Sequence, residues 1–439
     1  AGILSKRKYS KHKKDLSDNN FSEIDLVIVN FYPFEEVTNK TNNHNKILEN
    51  IDIGGPTMVR SAAKNYKDVT VITNVNQYQD LIENIKKNKG CTSYDFRKKM
   101  SLEAFTETGY YDSLISNYFF RLSDQSFPKK KLFGFNFINQ LRYGENPHQK
   151  AAIYSLSKIF NTRKLSGKDL SYNNYNDIFS AISISKSLPS NIGTVIIKHG
   201  NPCGVSINKK KTESFRLAFN SDPISAYGGI VSCNFKIDKN LAEELNSKFF
   251  EVIIGKGFDA DALKILKKKK NVKIIDSSQI ENFSNYNFIS NDNLVLFQSA
   301  DNDKFYLKNF KVVSKNKPSN KTLKNLIFTF NVCRFVKSNA IVLSNEESTV
   351  GIGSGQPSRL DSCDIAIKKM KKFHNLNNKE ILAASDAFFP FIDGIEKLVQ
   401  AGVTGIIQPY GSIRDKEIIN FANKTKTILV FSKTRHFKH

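Results

Sequence analysis

The chain has 439 residues and a mass of 49.8 kDa, which allows two or three domains. Hydrophobic residues make up 40% of it, enough for packed cores, so a chain disordered throughout is excluded. Its 66 Lys and Arg against 42 Asp and Glu give a net charge of +24. Such a charge suits a nucleic-acid or anionic partner. Abundant Lys, Asn and Ile without Trp are also typical of drift in an AT-rich genome.

Cysteine spacing and hydropathy exclude further classes. The five Cys residues form no C-x-x-C pair and have no His at metal-ligand spacing, which favours free thiols in a reducing cytoplasm. No apolar run approaches the roughly 18 residues of a membrane helix, and no apolar segment follows the N-terminal charges as in a signal peptide. The chain opens on apolar A-G-I-L without Met, so we expect a fragment of a longer protein.

The first third of the chain follows a parallel α/β rhythm of strand, glycine turn, helix and strand. Apolar β-branched runs predict its strands, and apolar residues at helical spacing predict its helices. The predicted elements are strand 23–34, helix 44–50, a turn at 54–56, helix 57–64, strand 68–73 and helices 76–87 and 92–119.

A charged, proline-containing segment at 121–135 predicts a linker, and helix–strand alternation resumes beyond it without a tight sequence repeat. We divide the chain into domains at 1–130, 131–320 and 321–439. Strands are predicted at 150–155, 193–199, 229–235, 251–254, 272–276, 339–344, 381–384 and 404–408, and helices at 321–337, 362–374 and 393–401.

Segment 194–204, T-V-I-I-K-H-G-N-P-C-G, carries the most chemistry. An apolar strand ends at Lys198 and His199 and breaks at Gly200. Parallel α/β sheets place reactive groups where strands end, and a neighbouring cation favours the neutral imidazole that acts as a base. The alternative is a strand-end Lys lying beside a hydrogen-bonded structural His.

Segment 141–149, L-R-Y-G-E-N-P-H-Q, begins the region after the linker. Arg142 beside Tyr143 suits an anion site, because a guanidinium binds phosphate through two parallel hydrogen bonds. A surface salt bridge is the alternative for a single Arg.

Segment 338–360 predicts a strand, an acidic hairpin-like turn and a glycine-rich loop, G-I-G-S-G-Q. The loop lacks the Lys-Ser/Thr of a P-loop and the glycine spacing of a dinucleotide site, so both are excluded. Its glycines favour close approach of the backbone to a flat ligand, with Arg359 behind them.

Segment 384–394, A-S-D-A-F-F-P-F-I-D-G, combines a Phe cluster with Pro390 between Asp386 and Asp393. Pro and two acids favour a loop, and an aromatic loop with a carboxylate suits a flat heterocycle. A packed core is the alternative.

The C-terminal F-S-K-T-R-H-F-K-H places Arg435, His436 and Phe437 in succession. It is either a frayed basic tail or a segment held by the strand T-I-L-V-F before it.

Taken together, these segments resemble the bifunctional purine-synthesis enzymes that join a transformylase to an IMP cyclohydrolase. The match runs in order along essentially the whole chain. It rests on N-F-Y-P-F (30–34), N-I-D-I-G-G-P-T-M-V-R-S-A-A-K-N (50–65), L-R-Y-G-E-N-P-H-Q, K-H-G-N-P-C-G, S-A-Y-G-G-I-V (225–231), K-S-N-A-I (337–341), G-I-G-S-G-Q-P-S-R, S-D-A-F-F-P-F (385–391), G-S-I-R-D (411–415) and T-R-H-F (434–437).

The resemblance implies formyl transfer from 10-formyltetrahydrofolate to 5-aminoimidazole-4-carboxamide ribonucleotide, and then ring closure to IMP with loss of water. The fold it implies is α/β: a partial methylglyoxal-synthase-like domain followed by two tandem cytidine-deaminase-like subdomains. It further implies a cytoplasmic homodimer with small-molecule substrates and no metal requirement, no membrane partner and no nucleic-acid partner.

The resemblance also assigns residues. Within the transformylase it implies that His199 takes the amine proton, that Lys198 stabilises the oxyanion and that Asn339 orients the formyl group. Other residues follow the family's motifs. The implied nucleotide ligands are Arg142, Tyr143, Gly228, Glu251, Arg359, Phe388, Arg435 and Phe437, and the implied folate ligands are Tyr227, Pro390, Phe391 and Asp393.

In the N-terminal region, Tyr32, Asp52 and Lys64 match the family's cyclohydrolase residues. The family places a Lys-Thr phosphate element upstream of A-G-I-L. We therefore expect this half to be incomplete and the formylated intermediate to accumulate.

Two alternatives of other classes stay open at this point. One is a basic RNA-binding protein, drawing on the net charge and on lysine runs such as 265–273, although no RNA-binding motif is present. The other is a zinc deaminase, suggested by fold alone, although the H-x-E and P-C-x-x-C pattern is missing.

Overall fold

A computed structural model describes residues 2–156, 163–280, 286–377 and 379–439. Contacts divide the chain into two compact units, residues 1–139 with 153–159 and residues 140–152 with 160–439. The first unit therefore continues past the predicted linker to residue 139, and the second unit contains most of 131–320 together with 321–439.

The first unit packs helices around the parallel pair of strands β1 and β2. Val59, Val71, Ile72 and Met100 are buried in its core, which joins α4 and α6 to β2. The elements are α1 Ser10–Asp18, β1 Leu26–Ile28, α2 Phe34–Lys40, α3 His44–Leu48, α4 Gly54–Lys64, β2 Thr70–Ile72, α5 Tyr78–Lys87 and α6 Tyr94–Leu122. The strands β3 Asn136–Leu141 and β4 Ala151–Ser155 follow and pair with each other.

Two predictions for this unit were wrong. The predicted turn at 54–56 is the first turn of α4, where Pro56 loses nothing because N–H groups there have no helical partner. The predicted strand 23–34 is regular only over Leu26–Ile28, and helix α2 follows it.

The second unit alternates strands and helices. Its elements are β5 Arg163–Ser166, α7 Tyr172–Ser187, β6 Gly193–Lys198, β7 Asn201–Ile207, α8 Lys211–Ser221, α9 Pro223–Ala226, β8 Ile230–Cys233, α10 Lys239–Ser247, β9 Val252–Gly255, α11 Ala260–Leu266, β10 Lys273–Asp276, β11 Tyr286–Asn291, β12 Leu294–Ser299, β13 Phe310–Val312, α12 Asn320–Cys333, β14 Ile341–Asn345, β15 Ser348–Gly353, α13 Arg359–Phe373, β16 Leu382–Ser385, α14 Ile392–Gln400, β17 Gly405–Pro409, α15 Asp415–Lys424 and β18 Ile428–Ser432.

Among the described residues, twelve of these strands form one mixed sheet, the central sheet, in the order β13-β18-β17-β16-β14-β15-β7-β6-β8-β9-β10-β5. One core, containing residues of α7 and α12, extends under both ends of it. Two further cores lie beneath the remaining helices, one containing Phe215 and one containing Phe389. The fold is therefore α/β, as the sequence predicts.

The central sheet contains an internal repeat, which the sequence indicates only as a coarse helix–strand alternation shared by the two halves beyond the linker. Residues 163–276, the first half, run strand, helix, hairpin, helix and then three parallel strands with helices between them, and residues 310–432, the second half, follow the same order. The halves meet where β7 pairs antiparallel with β15, at Ser206 and Ser348.

Both hairpins of the repeat carry strand glycines that touch a helix. A Cβ on Gly204 would lie 1.9 Å from the Ala218 carbonyl oxygen, and one on Gly353 would lie 1.9 Å from that of Ser362. The predicted glycine-rich loop was therefore partly wrong. Gly351 and Gly353 belong to β15, where they allow close approach of α13 rather than of a ligand.

The described residues contain five free cysteines, four of them buried. No helix in the described part of the chain is long and apolar enough to cross a membrane.

Candidate active site

Lys198 and His199 lie at the turn of the β6–β7 hairpin. Lys198 pairs with Asn201, and the two residues between them, His199 and Gly200, both have positive φ, of 54° and 73°. This combination is typical of the tight two-residue turns that match strand twist. The Asp177 carboxylate of α7 accepts hydrogen bonds from the backbone N–H of His199 (3.2 Å) and of Gly200 (2.6 Å).

The sheet around this turn is not parallel, contrary to the expectation that placed His199 where a parallel strand ends. Strand β6 pairs antiparallel with both β7 and β8, and Ile197 lies opposite Ile230. The turn therefore meets the starting ends of β8 and β9. We call this the upper edge of the central sheet.

Tyr227, Gly228 and Glu251 precede the strands β8 and β9 on this edge. The Lys198 ammonium donates to the Tyr227 carbonyl oxygen at 2.8 Å, and Gly228 has a φ of 74°. Glu251 accepts from Asn174 Nδ2 at 3.0 Å and lies 3.7 Å from the Lys273 ammonium.

The second half reaches the upper edge with the other ends of its strands. Ile341, the first residue of β14, lies opposite Ser385, the last residue of β16, and opposite Gly353 in β15. A hydrogen bond of 3.0 Å from the Lys337 N–H to Asn201 Oδ1 joins this end of β14 to the His199 turn. The two halves thus bring the Lys198 and Asn339 segments together.

Asn339 lines a cavity of about 390 Å³ at this edge. Its side-chain Nδ2 donates to the carbonyl oxygens of Gln356 and Pro357, both at 2.9 Å. Its Oδ1 oxygen receives no hydrogen bond from any described residue, so it is available to accept one from a ligand. The cavity is lined by Ser338, Asn339, Gly355, Gln356, Pro357, Phe437 and His439.

Arg359 is held by a buried carboxylate. Its Nη2 donates to Asp386 Oδ1 at 2.7 Å and its Nε to Ser385 Oγ at 3.0 Å. The Asp386 side chain is fully buried, that of Arg359 is 13% exposed, and Asp386 also accepts from the Ser338 hydroxyl. Asp386 therefore connects Arg359 to the residue before Asn339.

The aromatic segment after β16 is a loop, as predicted. Phe388 is half-buried and Phe389 is buried in the core, whereas Pro390 and Phe391 are exposed. The Phe391 ring lies 4.8 Å from the Arg414 guanidinium. Asp393 is exposed in the first turn of α14.

The C-terminal residues 433–439, called the tail from here on, are held in place. Phe437 lines the cavity beside Asn339, and the Arg435 guanidinium lies 4.6 Å from its ring. Both side chains are exposed, whereas His436 between them is buried.

Arg142 and Tyr143, both in the second unit, directly follow the strand β3, and the Arg142 guanidinium lies 5.6 Å from the Tyr143 ring. Asn173 at the start of α7 donates to the carbonyl oxygen of Glu145 at 3.3 Å. Helix α7 therefore contacts three parts of the predicted site through Asn173, Asn174 and Asp177: the Arg142 segment, Glu251 and the His199 turn.

Within the first unit, Asp52 lies at the start of α4 and is fixed by a buried tyrosine. The Tyr111 hydroxyl accepts from the Asp52 N–H at 2.8 Å and donates to the Asn50 carbonyl oxygen at 3.2 Å. Burial, and then the nearby carboxylates, raise the Tyr111 pKa, which keeps it a neutral hydrogen-bonding group. Tyr32 is exposed.

Lys64 is the last residue of α4, whereas Asp52 lies just before its first. A helix of 11 residues has ends about 15 Å apart, so the structure does not bring Lys64 to Asp52 within one chain. The Lys64 ammonium makes no hydrogen bond or ion pair with any residue that the structure describes.

The upper edge brings together an imidazole, an ammonium group and hydrogen-bonding side chains. No group of three or more His, Cys, Asp or Glu within the described residues is placed to hold a metal ion. Burial raises the pKa of Cys203, the nearest cysteine to the turn, to about 12, so its thiol is not a nucleophile at neutral pH.

Sequence reasoning assigned no role to the residues that hold this edge together: Asn174, Asp177, Asn201 and Asp386. It also assigned none to Tyr111, which fixes the Asp52 segment of the first unit. Only Asn174 had a local signal, because Ser171 and Asn174 form a capping box at the start of α7. The others act through contacts between residues distant in sequence, which no local pattern indicates.

Comparison with known proteins gives consistent matches. The model of the AICARFT/IMPCHase bienzyme family matches residues 62–369. The bifunctional purine biosynthesis protein PurH of Caldicellulosiruptor saccharolyticus is 42% identical over 448 residues, covering 100% of this chain and 86% of that protein. PurH of Buchnera aphidicola subsp. Schizaphis graminum is 43% identical over 456 residues, covering 100% and 85%. A solved chain titled "Crystal structure of ForH" has a TM-score of 0.24 at 26% identity, covering 27% of this chain and 62% of that one.

Proposed function

The chain belongs to the AICARFT/IMPCHase bienzyme family, and from that membership we propose how its side chains serve the two reactions. It is an enzyme of purine biosynthesis with formyltransferase and IMP cyclohydrolase activities. The relatives give no support to a basic RNA-binding protein. The observation that carries the residue assignment is the hydrogen bond between Lys337 and Asn201, which joins the Asn339 segment to the His199 turn.

His199 serves as the base of formyl transfer. The substrate amine is a weak nucleophile, because its lone pair is delocalised into the ring and carboxamide. As its nitrogen attacks the formyl carbon of 10-formyltetrahydrofolate, the imidazole takes the amine proton, a contribution of roughly 10²–10⁴-fold. The tetrahedral intermediate then expels N10 of tetrahydrofolate, which takes a proton.

Lys198 and Asn339 stabilise and orient the reacting group. One of the three N–H donors of the Lys198 ammonium bonds the Tyr227 carbonyl oxygen, which leaves two to stabilise the developing oxyanion. The free Oδ1 of Asn339 accepts from the carboxamide or the amine of the nucleotide. Neither step requires a metal ion.

The remaining predicted residues bind the two substrates. Arg142 and Arg435 hold the nucleotide phosphate, and Tyr143, Gly228, Glu251, Arg359, Phe388 and Phe437 surround the rest of the nucleotide. The family implies a folate cosubstrate, and Tyr227, Pro390, Phe391 and Asp393 bind it as 10-formyltetrahydrofolate. Asp393 pairs with the donor edge of the pterin. This assignment is supported by the exposure of Phe391 and Asp393.

Ring closure is assigned to Tyr32, Asp52 and Lys64 in the first unit. The fixed Asp52 segment supports a role in orienting the formylated carboxamide, because closure needs a near-attack geometry. Lys64 acts there only if it comes from another chain.

The finer architecture follows the family as well. We assign 1–130 to a methylglyoxal-synthase-like domain, and 131–320 and 321–439 to cytidine-deaminase-like subdomains. The internal repeat of the central sheet supports two like subdomains, although the boundary at 320 lies within one continuous sheet.

The protein forms a homodimer in the cytoplasm. Support for self-association comes from the β11–β12 hairpin, where Leu294 and Leu296 are 71% and 66% exposed. The buried free thiols support a reducing compartment. Light scattering of the protein and of Leu294→Ser/Leu296→Ser tests the dimer, which the double variant should weaken.

The residue assignment is tested by tetrahydrofolate release, followed by absorbance, with and without the imidazole ribonucleotide. We expect release only when the nucleotide is present, and we expect Asn339→Ala to lower kcat more than it raises either KM. An Asn339→Ala enzyme with unchanged kcat would remove Asn339 from the chemistry.

A further inference from the structure

The tail contains a buried histidine that no assigned role explains. His436 is 3% exposed although it is the fourth residue from the C-terminus and lies beyond the last strand. Its ring packs edge-on against Phe305 and Phe330, at centroid distances of 5.2 and 5.4 Å.

Both ring nitrogens of His436 are hydrogen-bonded. Nδ1 lies 2.6 Å from Asp301 Oδ2, and Nε2 lies 3.0 Å from the Thr434 hydroxyl. An ionised carboxylate only accepts, so Nδ1 carries the proton and donates it. Burial alone would raise the Asp301 pKa, but the hydrogen bond and charge of His436 outweigh it and lower that pKa. The lowered Asp301 pKa agrees with the short distance between Asp301 and His436.

The tail has no helix or strand to keep its shape. From residue 435 onward, two backbone hydrogen bonds join it to the rest of the unit: one from the His436 N–H to the Asp386 carbonyl oxygen, and one from the Ser338 N–H to the Lys438 carbonyl oxygen. Fixing each backbone residue costs roughly 1–2 kcal/mol, so an irregular segment needs an anchor to stay ordered.

The anchor determines what the neighbouring side chains do. Along the tail, His436 is buried and Lys438 half-buried, whereas Arg435, Phe437 and His439 are exposed. Side chains of an extended segment alternate, so a buried residue 436 directs 435 and 437 to the opposite side. On that side lies the cavity that contains Asn339 and Phe437.

We propose that His436 is a positioning residue for nucleotide binding, and that its pair with Asp301 sets Arg435 and Phe437 against the substrate. The inference rests on the proposed role of Arg435 in binding the phosphate. His436 itself touches no substrate and acts through its neighbours.

The test compares three replacements of His436 that separate packing from each hydrogen bond. Leu keeps a similar apolar volume without a donor, Asn places an amide near the Nδ1 position, and Gln places one near the Nε2 position. We expect His436→Leu to raise the nucleotide KM about tenfold, with the folate KM and kcat close to wild type. His436→Asn should recover most of this loss, and His436→Gln should not.

Controls separate this inference from the proposed site. Lys433→Ala removes an exposed side chain from the same tail and should change nothing. Arg435→Ala should raise the nucleotide KM. An unchanged KM in Arg435→Ala would overturn the proposed phosphate contact. A raised KM in Arg435→Ala together with an unchanged KM in His436→Leu would overturn the positioning role alone. Equal losses in kcat and both KM values, without rescue by Asn, would also overturn it, because they indicate general loss of structure.

Discussion

The two halves of the central sheet share one order of elements but contribute different parts to the candidate site. In the first half, a hairpin turn and the starting ends of strands face the upper edge. In the second half, the finishing ends of β15 to β18 face it. The antiparallel β7–β15 junction explains this difference, because it relates the halves by a rotation that exchanges the two edges.

The two hairpin turns show the consequence most directly. The His199 turn lies on the upper edge, and the equivalent turn of the second half, at Glu346, lies on the opposite edge. Both residues have positive φ, 54° for His199 and 52° for Glu346. Glu346 pairs with the exposed Lys321 ammonium at 2.9 Å, whereas His199 is held by its backbone and leaves its ring free of described hydrogen bonds. A symmetric fold therefore yields one asymmetric candidate site.

The largest effect we predict separates the two turns. His199→Asn removes the imidazole but keeps the turn, because Asn tolerates positive φ and Asn-Gly is the preferred pair in such hairpins. We expect transformylase turnover to fall by about 10²-fold or more, with nucleotide binding retained. The rate of tetrahydrofolate release measures this turnover.

The matched control is Glu346→Asn, the same change at the equivalent position. It removes one exposed ion pair, which solvent screens, so turnover should stay near wild type. Near-normal turnover in His199→Asn would exclude His199 as the base. A loss of similar size in both variants would mean that the turns affect folding rather than chemistry.

A second contrast concerns the residue that directly follows β8 or β16. In the first half it is Asn234, whose amide bonds three backbone groups, and in the second half it is Asp386, paired with Arg359. Asp386→Ala leaves a buried guanidinium unpaired and should lower the free energy of unfolding by about 3–5 kcal/mol. Asn234→Ala should cost about 1–3 kcal/mol. Urea denaturation compares them, and an equal or larger cost at Asn234 contradicts the contrast.

The third prediction tests what the halves share. Gly204→Ala and Gly353→Ala each force a Cβ against a helix carbonyl oxygen, so each should destabilise by about 1–3 kcal/mol or more. Gly109 in α6 has no neighbouring atom within 4 Å, and Gly109→Ala should be neutral or stabilising. The midpoint of thermal unfolding of the three variants tests this prediction. A tolerated Ala at only one of the two strand positions would show that the helices pack differently in the two halves.

Much of the fold was predictable because hydrophobic runs report burial directly. The predicted strand 193–199 is β6, and the predicted strand 404–408 is within one residue of β17. Strand direction and pairing were not predictable, because antiparallel neighbours such as β7 are chosen by contacts distant in sequence. Strand β7 was missed for a local reason too, since Pro202 and Gly204 are weak strand formers.

The candidate site also has parts that the sequence predicts and parts that it does not. His199 was predicted from a local motif and Asn339 from the family resemblance, and the structure brings their segments to one edge. Asp177 lies outside every quoted motif, and Asp386 was noted only as an acid beside the aromatic loop. The importance of both comes from the backbone groups and charges that the fold brings to them. For Arg359, the sequence predicted a place behind the glycine-rich loop, and the structure adds its pairing with Asp386.

The smallest effect we predict concerns the junction of the halves. Asp222 of the first half, with a side chain only 4% exposed, lies 2.9 Å from the Lys369 ammonium of α13. Burial alone would raise the Asp222 pKa, but hydrogen bonds from Lys369 and Ser225 outweigh it and lower that pKa. A carboxyl whose pKa is lower in the folded than in the unfolded state stabilises the fold fully above its unfolded pKa of about 3.9. That stabilisation is lost as the pH falls through the folded pKa.

Lys369→Met should therefore raise the Asp222 pKa and move acid unfolding to higher pH, whereas Lys368→Met, an exposed neighbour, should not. Circular dichroism between pH 7 and pH 3 measures the midpoint, and equal midpoints for the two variants would mean that this ion pair does not hold the halves together.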